Sequence, residues 1–172
     1  LYIGKREEVF VYNESTGNFD LYYHLAGKDI TLSCLHLDEK KNLWMGTTSN
    51  GLYCLSGDKK ISQPVTRGNI ASIYEDSSKE LWICTWEEGL YRIKTDSTIE
   101  NFRHDPKNPN SICTDFVRSC CEDNAGNLWI GTFHGLNRYE KSTGKFQLYT
   151  ANANKPDGLT PVSYTHLTLP TT

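Results

Sequence analysis

Short apolar runs alternate with polar turn residues along the whole chain, and one of these runs recurs almost unchanged. Its pattern is Leu, Trp, an apolar residue, a small residue and Thr, found at 43–47, 81–85 and 128–132, with a truncated copy at 1–4. Successive copies begin 42, 38 and 47 residues apart. A unit of this length buries its apolar faces only by stacking on its neighbours. The pattern therefore predicts a repeat protein, and because the chain begins inside a repeat we expect it to be a piece of a longer protein.

Each repeat contains four apolar runs, which predict four short strands that we name a, b, c and d in chain order. In the third repeat these strands are 70–74, 81–85, 89–93 and 99–103. The second repeat gives 31–37, 43–47, 51–55 and 61–66, and the fourth gives 116–121, 128–132, 135–139 and 146–150. Four sequential strands with turn residues between them are typical of an antiparallel sheet that is repeated along a chain.

Strand b is apolar on both of its faces. In the third repeat Leu81, Ile83 and Thr85 face one way, because side chains alternate along a strand, while Trp82 and Cys84 face the other. A strand of this kind is covered on both sides. Such strands are expected in the blades of a β-propeller, whereas a two-layer sandwich leaves a polar face on most of its strands.

The position after the central apolar residue of strand b favours glycine. Gly46 and Gly131 occupy it in two copies, where they leave room for an indole or for close packing of the next sheet, and Cys84 replaces glycine in the third repeat. Two further departures are Tyr2, which stands where the other copies have Trp, and Pro64 in strand d of the second repeat. Proline is tolerated mainly on an outer edge strand, so that strand is expected at the edge of its sheet.

The predicted fold class is all-β, a β-propeller of which the chain holds an incomplete arc of about three full four-stranded blades and most of a fourth. The expected blades are 1–30, which lacks its first strand, 31–68, 69–113 and 114–153, within a partial propeller at 1–160. Residues 161–172 fit no repeat and resemble the translated vector or adapter sequence that ends many truncated reading frames. We expect them to be a non-native tail.

Composition narrows the function classes. The 172 residues are 37% hydrophobic with a formal net charge of −3, which is typical of globular material with one core. The densest basic runs, 40–41 and 59–60, lie beside acidic residues in turn-like segments, so they predict solvated turns and not a nucleic-acid surface. No run approaches the roughly 18 apolar residues of a membrane helix. The first residues, 1–5, also lack the pattern of a signal peptide.

The six cysteines do not form a metal-binding pattern, because there is no C-x-x-C pair and no His at zinc-finger spacing. No metal site and no cofactor are therefore predicted. Most of the cysteines are expected to be small buried hydrophobes. Cys120 and Cys121 are adjacent on a predicted strand and point to opposite faces, which argues against a bond between them. The redox compartment is left open by this pattern.

An aspartate opens each predicted a–b turn, at Asp38, Asp76 and Asp123. Such a side chain accepts hydrogen bonds from backbone N–H groups two residues later, which is the ordinary role of Asp in a turn. A calcium loop is the alternative interpretation. It requires alternating Asp or Asn and a terminal Glu, whereas the middle positions of these turns are Lys, Ser or Ala, so we favour hairpin turns.

The fourth repeat carries the most specific motif. Residues 119–139 read SCCEDNAGNLWIGTFHGLNRY and are followed by STGKF at 142–146. This string closely resembles the two-component regulator propeller repeat, which builds the extracytoplasmic sensor of hybrid two-component histidine kinases. The connector HDPKNPNSI at 104–112 is also typical of that family, and it returns in weaker form at 154–159.

The resemblance implies a parent protein with two propellers, an immunoglobulin-like domain, one membrane helix and a cytoplasmic kinase with receiver and DNA-binding modules. It places this segment on the periplasmic side of a membrane, with membrane contact only through a downstream helix, and it implies that the parent is a homodimer. The chain has no His-box, no nucleotide-binding glycine motif and no receiver aspartate cluster. Phosphotransfer is therefore expected of the parent only, and this chain is not expected to be an enzyme.

The expected ligand face of a propeller is the one where the b–c and d–a connections emerge. An aromatic ring beside carboxylate or amide groups suits a sugar, which needs an apolar surface to stack on and polar partners around its rim. Trp86 and Phe133 could equally pack on the next blade, and adjacent glutamates on one turn do not flank a bond as a glycosidase pair does, so no catalytic residue is predicted. The expected ligand-binding residues are Trp86, Glu87, Glu88, Phe133, His134, His104 and Asn110.

The leading hypothesis is a sensor fragment whose parent binds an oligosaccharide or another small extracytoplasmic ligand and signals across the membrane to regulate transcription. The alternatives are a secreted propeller enzyme, such as a glycan lyase or hydrolase, and a non-catalytic interaction scaffold. The repeated b-strand signature serves packing in each of them. The variable turns that follow it, at 48–50, 86–88 and 133–134, are where ligand preference is expected to lie.

Overall fold

The computed structural model describes residues 1–27, 29–65 and 68–150, and within these ranges the chain forms fifteen strands and no helix. In chain order they are β1 (Tyr2–Lys5), β2 (Glu8–Asn13), β3 (Asn18–His24), β4 (Leu32–Leu37), β5 (Leu43–Thr47), β6 (Leu52–Leu55), β7 (Ile61–Val65), β8 (Ile70–Glu75), β9 (Leu81–Thr85), β10 (Leu90–Ile93), β11 (Ile99–Phe102), β12 (Val117–Glu122), β13 (Leu128–Thr132), β14 (Gly135–Glu140) and β15 (Lys145–Tyr149). No helix long and apolar enough to cross a membrane occurs in the described ranges.

The strands form four sheets in chain order. The first sheet has three strands, β1 to β3, and the other three have four each, β4 to β7, β8 to β11 and β12 to β15. Three sheets of four strands and one of three agree with the predicted arc of about three full blades and most of a fourth. The strand that contains Pro64, β7, lies at the edge of its sheet as expected. The predicted connector at 154–159 and tail at 161–172 lie outside the described residues.

The three b strands begin and end where the sequence predicts, at Leu43–Thr47, Leu81–Thr85 and Leu128–Thr132. All five residues of β5 and of β9 are buried. Because successive side chains point to opposite faces, complete burial requires cover on both sides of the strand. The prediction of two-sided cover is therefore confirmed.

The neighbours of Gly46 leave no room for a side chain at this position. A Cβ atom added there would lie 2.5 Å from Sγ of Cys34 and 2.7 Å from Cγ2 of Ile70. Heavy atoms in ordinary contact are separated by about 3.5–4.0 Å, so both of these neighbours would have to move to admit a Cβ atom. The recurring glycine of the b-strand signature is thus a packing requirement at this copy.

The opening aspartate of each a–b turn accepts a hydrogen bond from the signature tryptophan. The Nε1 atoms of Trp44, Trp82 and Trp129 donate to Oδ2 of Asp38, Asp76 and Asp123 at 2.9, 2.8 and 2.7 Å. The predicted bond from the amide two residues later is present at Asp76 and Asp123, where Ser78 N and Ala125 N donate to Oδ1 at 2.9 Å. Turn and strand are therefore fixed to each other by one carboxylate.

The chain divides into two compact units, one of Leu1–Ile73 and one that begins at Tyr74. In the first unit, β1 packs beside β4, and Leu32 N donates to Arg6 O at 2.8 Å. A cluster of buried apolar residues fills this unit, namely Val9, Leu25, Ile30, Leu43, Met45 and Leu55. These residues come from both sheets, so each sheet buries its apolar face on the other.

In the second unit, aromatic rings join the two sheets. Trp82 and Phe102 stack with ring centroids 5.9 Å apart, and Tyr139 lies 5.4 Å from Trp82 and 5.2 Å from Phe102. Phe146 completes the cluster at 4.7 Å from Tyr139. Because Trp82 is fully buried in this cluster, the signature tryptophan of the third repeat is a core residue.

A buried ionic cluster also joins the sheets of the second unit. Lys141 Nζ lies 2.8 Å from Oδ2 of Asp76 and 2.6 Å from Oε1 of Glu122, and both carboxylates are nearly inaccessible to solvent. Burial by itself would raise the pKa of Asp76, but hydrogen bonds from Lys141 and Trp82 outweigh it and lower that pKa. Asp76 is therefore ionised in the folded protein at neutral pH.

All six cysteines are free thiols. Cys54, Cys84 and Cys120 are buried, and the other three are half-buried, so the prediction of small buried hydrophobes holds for half of them.

Candidate functional site

Each b–c turn is closed by the threonine that ends strand b. Thr85 is fully buried, and its hydroxyl donates to Gly89 O at 2.7 Å and accepts from Glu88 N at 3.0 Å. The same two bonds recur at Thr47, with Gly51 O and Asn50 N, and at Thr132, with Gly135 O and His134 N. The turn is therefore closed by a hydroxyl and by backbone atoms, which leaves the side chains between them available for other contacts.

Trp86, the first residue of its turn, stacks against an arginine. The guanidinium carbon of Arg118 lies 3.6 Å from the centroid of the Trp86 ring, well within the range of a cation–π contact. Arg118 is half-buried, and its Nε atom is inaccessible to solvent and has no hydrogen-bond partner among the described residues. Trp86 thus packs in part on the next sheet, as the alternative interpretation of this residue proposed, and it does so through a charged group.

A local irregularity of β12 places Arg118 at this point. The register of β12 on β13 shifts between Val117 and Ser119, so Arg118 is an extra residue within the pairing. Such a bulge changes the direction of one side chain and is common beside functional sites. β4 has the same shift around Ser33, but serine is too short to reach an indole as arginine does. The stack at Trp86 therefore depends on an arginine that the equivalent bulge of β4 lacks.

The d–a connector is tied to the same turn by a second arginine. Arg103 Nη2 donates to Oδ2 of Asp115 at 2.8 Å and to the carbonyl oxygen of Glu87 at 3.1 Å. The hydrogen bond and the charge of Asp115 raise the pKa of Arg103. Asp115 also accepts from His104 N at 2.7 Å, and its own carbonyl accepts from Gly89 N at 3.0 Å. Asp115 therefore holds turn and connector together.

The predicted histidine of the connector is turned toward its own segment. His104 Nδ1 lies 2.9 Å from Ile112 O, and because a carbonyl only accepts, this nitrogen carries the proton. Glu88 is also engaged within its own blade, since Tyr91 Oη donates to its Oε2 at 3.0 Å. Glu87 is exposed and contributes its backbone carbonyl to the bond with Arg103. The structure thus brings Trp86, Glu87, Glu88 and His104 to one place.

Phe133 and His134 form an exposed pair beside a third aromatic residue. Phe133 is 52% exposed, and its ring meets that of His134 edge-on with centroids 5.8 Å apart. Phe133 N donates to Phe116 O at 3.1 Å, and the Phe116 side chain is 41% exposed. Because Phe116 lies two residues before Arg118, the start of β12 connects this aromatic pair with the Trp86 stack.

Asn110 belongs to a different region. Its carbonyl accepts from Phe146 N at 2.9 Å, and its side chain lines an open cleft of about 340 Å³ with Arg138, Lys145 and Gln147 among its other residues. None of the predicted b–c turn residues lines that cleft. The structure therefore groups six of the seven predicted residues near the start of β12 and places the seventh beside β14 and β15.

Sequence reasoning did not identify Arg118, Arg103 or Phe116. One signal was available, because Arg118 occupies the second position of a six-residue strand a, where the other repeats have Ser33 and Ala71. A long cationic side chain at a position otherwise taken by small residues marks a special environment. The pairing of Arg103 with Asp115 spans 12 residues of connector and follows no repeat pattern.

The arrangement offers three kinds of contact within a small area. The rings of Phe116 and Phe133 provide exposed apolar surface, the guanidinium of Arg118 provides a positive charge, and Glu87 provides an exposed carboxylate. In the described part of the chain, no group of three or more His, Cys, Asp or Glu side chains is placed to hold a metal ion. The carboxylates of the a–b turns are occupied by indole and amide donors.

Two segments of the sequence match the family model of the two-component regulator propeller, at residues 65–87 and 111–134. The first segment contains Trp86 and Glu87, and the second contains Arg118, Phe133 and His134. The resemblance seen in the repeats is confirmed by these matches. Comparison with curated proteins gives no match.

Several solved structures share the fold. Virginiamycin B lyase from Staphylococcus aureus gives a TM-score of 0.66 at 16% identity, over 88% of this chain and 50% of the lyase. An extracellular domain assigned to a hybrid two-component system of B. thetaiotaomicron gives a TM-score of 0.62 at 22% identity, over 92% of this chain and 21% of that domain. PorZ, a surface component of the type-IX secretion system of Porphyromonas gingivalis, gives a TM-score of 0.62 at 11% identity, over 89% of this chain and 26% of PorZ.

The chain thus spans half or less of each of these structures. At such low identities the likeness concerns the fold alone. Together with the four sheets described above, it confirms the predicted all-β propeller class.

Proposed function

We propose that these two-component regulator propeller repeats belong to the extracytoplasmic sensor of a hybrid two-component histidine kinase, and that the sensor detects an oligosaccharide. The family match over both turn-bearing segments supports the sensor assignment. The observation that carries the ligand assignment is the Arg118 guanidinium against the Trp86 ring beside the exposed rings of Phe116 and Phe133. In this proposal the domain lies on the periplasmic side of the membrane.

Sugar recognition accounts for the mixture of groups at the start of β12. A pyranose ring has an apolar face that stacks on aromatic side chains and hydroxyls that bond to charged or polar groups at the ring edge. The exposed phenyl rings offer the first kind of contact, and Arg118 and Glu87 offer the second.

The signal would arise because the ligand contacts two sheets at once. Trp86 follows β9, whereas Arg118 lies on β12 of the next sheet in the same unit. A ligand that binds both stabilises one arrangement of the receptor and shifts its population toward that state. In the proposed parent, two receptor copies and a downstream membrane helix would carry this shift to the kinase.

Binding by the full propeller domain tests the proposal. A panel of neutral and acidic oligosaccharides is screened on a glycan array, and hits are measured by calorimetry with the wild-type domain and two variants, Trp86→Ala and Arg118→Ala. We expect each variant to lose at least about tenfold in affinity, which corresponds to about 1.4 kcal/mol. NMR of the sugar after incubation would also reveal cleavage, which is the outcome expected of a propeller enzyme.

Matched controls lie elsewhere in the chain. Tyr12→Ala removes an aromatic side chain that is 40% exposed and distant in sequence from the b–c turns. Arg138→Ala removes another arginine whose Nε has no hydrogen-bond partner in the described part of the chain. Both controls should bind like the wild type. Unchanged affinity in Trp86→Ala and Arg118→Ala would refute this ligand site, and the lack of any glycan ligand would refute the ligand class.

A further inference from the structure

Two departures from the repeat pattern meet in the second unit. Cys84 stands on β9 where Gly46 and Gly131 stand on the other b strands. Cys120 is the fourth residue of its six-residue a strand, a position held by Leu35 and Ile73 in the other two. The two cysteines lie 36 positions apart in the chain, and each replaces the residue found at its position in the other repeats. A shared role would explain why both replacements occur.

The two sulfur atoms face each other between the sheets. Sγ of Cys84 lies 3.6 Å from Sγ of Cys120, and the side chains are buried to 0% and 7% exposure. β9 and β12 are in contact, and both lie in the same compact unit. The structure therefore holds a preformed thiol pair across a sheet-to-sheet contact.

We propose that Cys84 and Cys120 are a disulfide-forming site that links β9 to β12, and that the oxidant is a disulfide donor, either a small one such as oxidised glutathione or a protein disulfide. The sulfurs need to approach from 3.6 Å to about 2.0 Å, which requires rotation of the side chains and a small shift of the strands. The proposal does not depend on the ligand of the sensor. It requires only that the folding chain meets a disulfide donor.

The reaction is an ordinary thiol–disulfide exchange. One cysteine loses its proton, and its thiolate attacks the donor disulfide to form a mixed disulfide while one donor thiolate leaves. The second cysteine loses its proton and attacks the mixed disulfide, which forms the Cys84–Cys120 bond and releases the second donor thiolate. The two protons pass to the two donor thiolates, so two protein thiols are oxidised and one donor disulfide is reduced.

Burial determines when this exchange takes place. No donor reaches thiols that are almost fully inaccessible, and the neighbouring Cys84 and burial both raise the pKa of Cys120, so thiolate is scarce in the folded protein. The bond therefore forms while the chain folds, before β9 and β12 cover each other. Once formed, it is protected from reductants by the same burial.

Peptide mapping tests the site directly. The chain is refolded from urea in a mixture of reduced and oxidised glutathione, trapped with an alkylating agent and digested with trypsin. We expect a reducible pair of the peptides 80–92 and 119–138, which contain Cys84 and Cys120. Since 119–138 also contains Cys121, the Cys121→Ser variant should retain the cross-link. The same treatment of the already folded, reduced chain should give little of it.

Two variants keep the result interpretable. Cys84→Gly restores the residue of the other repeats, and Cys120→Ile restores the residue of β8, so both are expected to fold and neither should give the cross-link. Oxidation should lower the unfolding equilibrium constant of the wild type by about two to three orders of magnitude and leave both variants unchanged. Alkylation of both Cys84 and Cys120 in wild-type chain that has refolded to the native fluorescence would overturn the proposal and leave a simple thiol–thiol contact.

Discussion

Asp76 is the residue whose loss we expect to destabilise the fold most. Its carboxylate accepts from Trp82 Nε1 at 2.8 Å and from the turn amides of Ser78 and Glu80 at 2.9 and 3.0 Å, and it pairs with Lys141 at 2.8 Å. The side chain is fully buried. The substitution Asp76→Ala therefore removes the acceptor of a buried indole, two bonds of the a–b turn and one anchor between two sheets.

The size of the effect follows from these contacts. A buried donor such as Trp82 Nε1 that loses its acceptor costs about 1–3 kcal/mol. Breaking a buried ion pair costs about 3–5 kcal/mol when the remaining charge is left alone, but Lys141 keeps Glu122 and is 22% exposed, so the lower end applies. Because these terms overlap, we expect Asp76→Ala to lower the free energy of unfolding by about 3–4 kcal/mol.

Urea denaturation followed by tryptophan fluorescence measures this loss. With a slope of about 2 kcal/mol per M, the midpoint should fall by about 2 M. Asp123→Ala is the matched control, because it removes the equivalent bonds to Trp129 and to the turn amides at a more exposed site, where water replaces part of what is lost. It should cost about 1 kcal/mol. Equal losses in the two variants would show that burial and the contact with Lys141 do not set the size of the effect, and would refute the reasoning.

Three further outcomes are expected. Gly46→Ala should lower the melting temperature, at a cost of about 1–3 kcal/mol, because the new Cβ would lie 2.5 Å from Sγ of Cys34; an unchanged melting curve would contradict this close approach. Thr85→Val should cost about 1–2 kcal/mol and speed hydrogen exchange at the Glu88 amide, whereas Thr85→Ser should preserve both. Burial opposes ionisation of Asp123, but hydrogen bonds from its turn and indole neighbours lower its pKa to about 2. The stability that the ionised Asp123 gives to the fold is therefore complete above the ordinary pKa of 3.8 and is lost as the pH falls toward 2. Asp123→Asn should flatten that part of an acid titration followed by circular dichroism.

The strands could be predicted from the sequence because their signals are local and recur. The b strands agree to the residue, since the alternation of Leu81, Trp82 and Ile83 has the same form in every copy. The other strands agree to within one residue in most cases; β12, for example, runs from Val117 to Glu122 where 116–121 was predicted. Strand ends depend on the last hydrogen bond of a ladder, which the polarity of single residues does not determine.

The positions of the variable turns could be predicted from the repeat pattern, but the contacts of the side chains around them could not. The side chains that meet in this part of the molecule come from different repeats, as Arg118 does at Trp86 and Cys120 does at Cys84. Each of these contacts depends on how far one sheet lies from the next and on a bulge in β12. No spacing within a single repeat records either quantity.

The hydroxyl closure of the b–c turns has a consequence for how these repeats diversify. Between Thr47 and Gly51, and between Thr85 and Gly89, three residues are held by the same two hydrogen bonds, so the segments 48–50 and 86–88 have equal length and could replace each other. Recombination among repeats could transfer such a segment without disturbing the hydrogen bonds between the flanking strands. Trp86 would then lack its contact with Arg118, because Arg118 is encoded in the following repeat. Transfer of the Trp86–Arg118 stack therefore requires that segment 86–88 and the first strand of the next blade are transferred together.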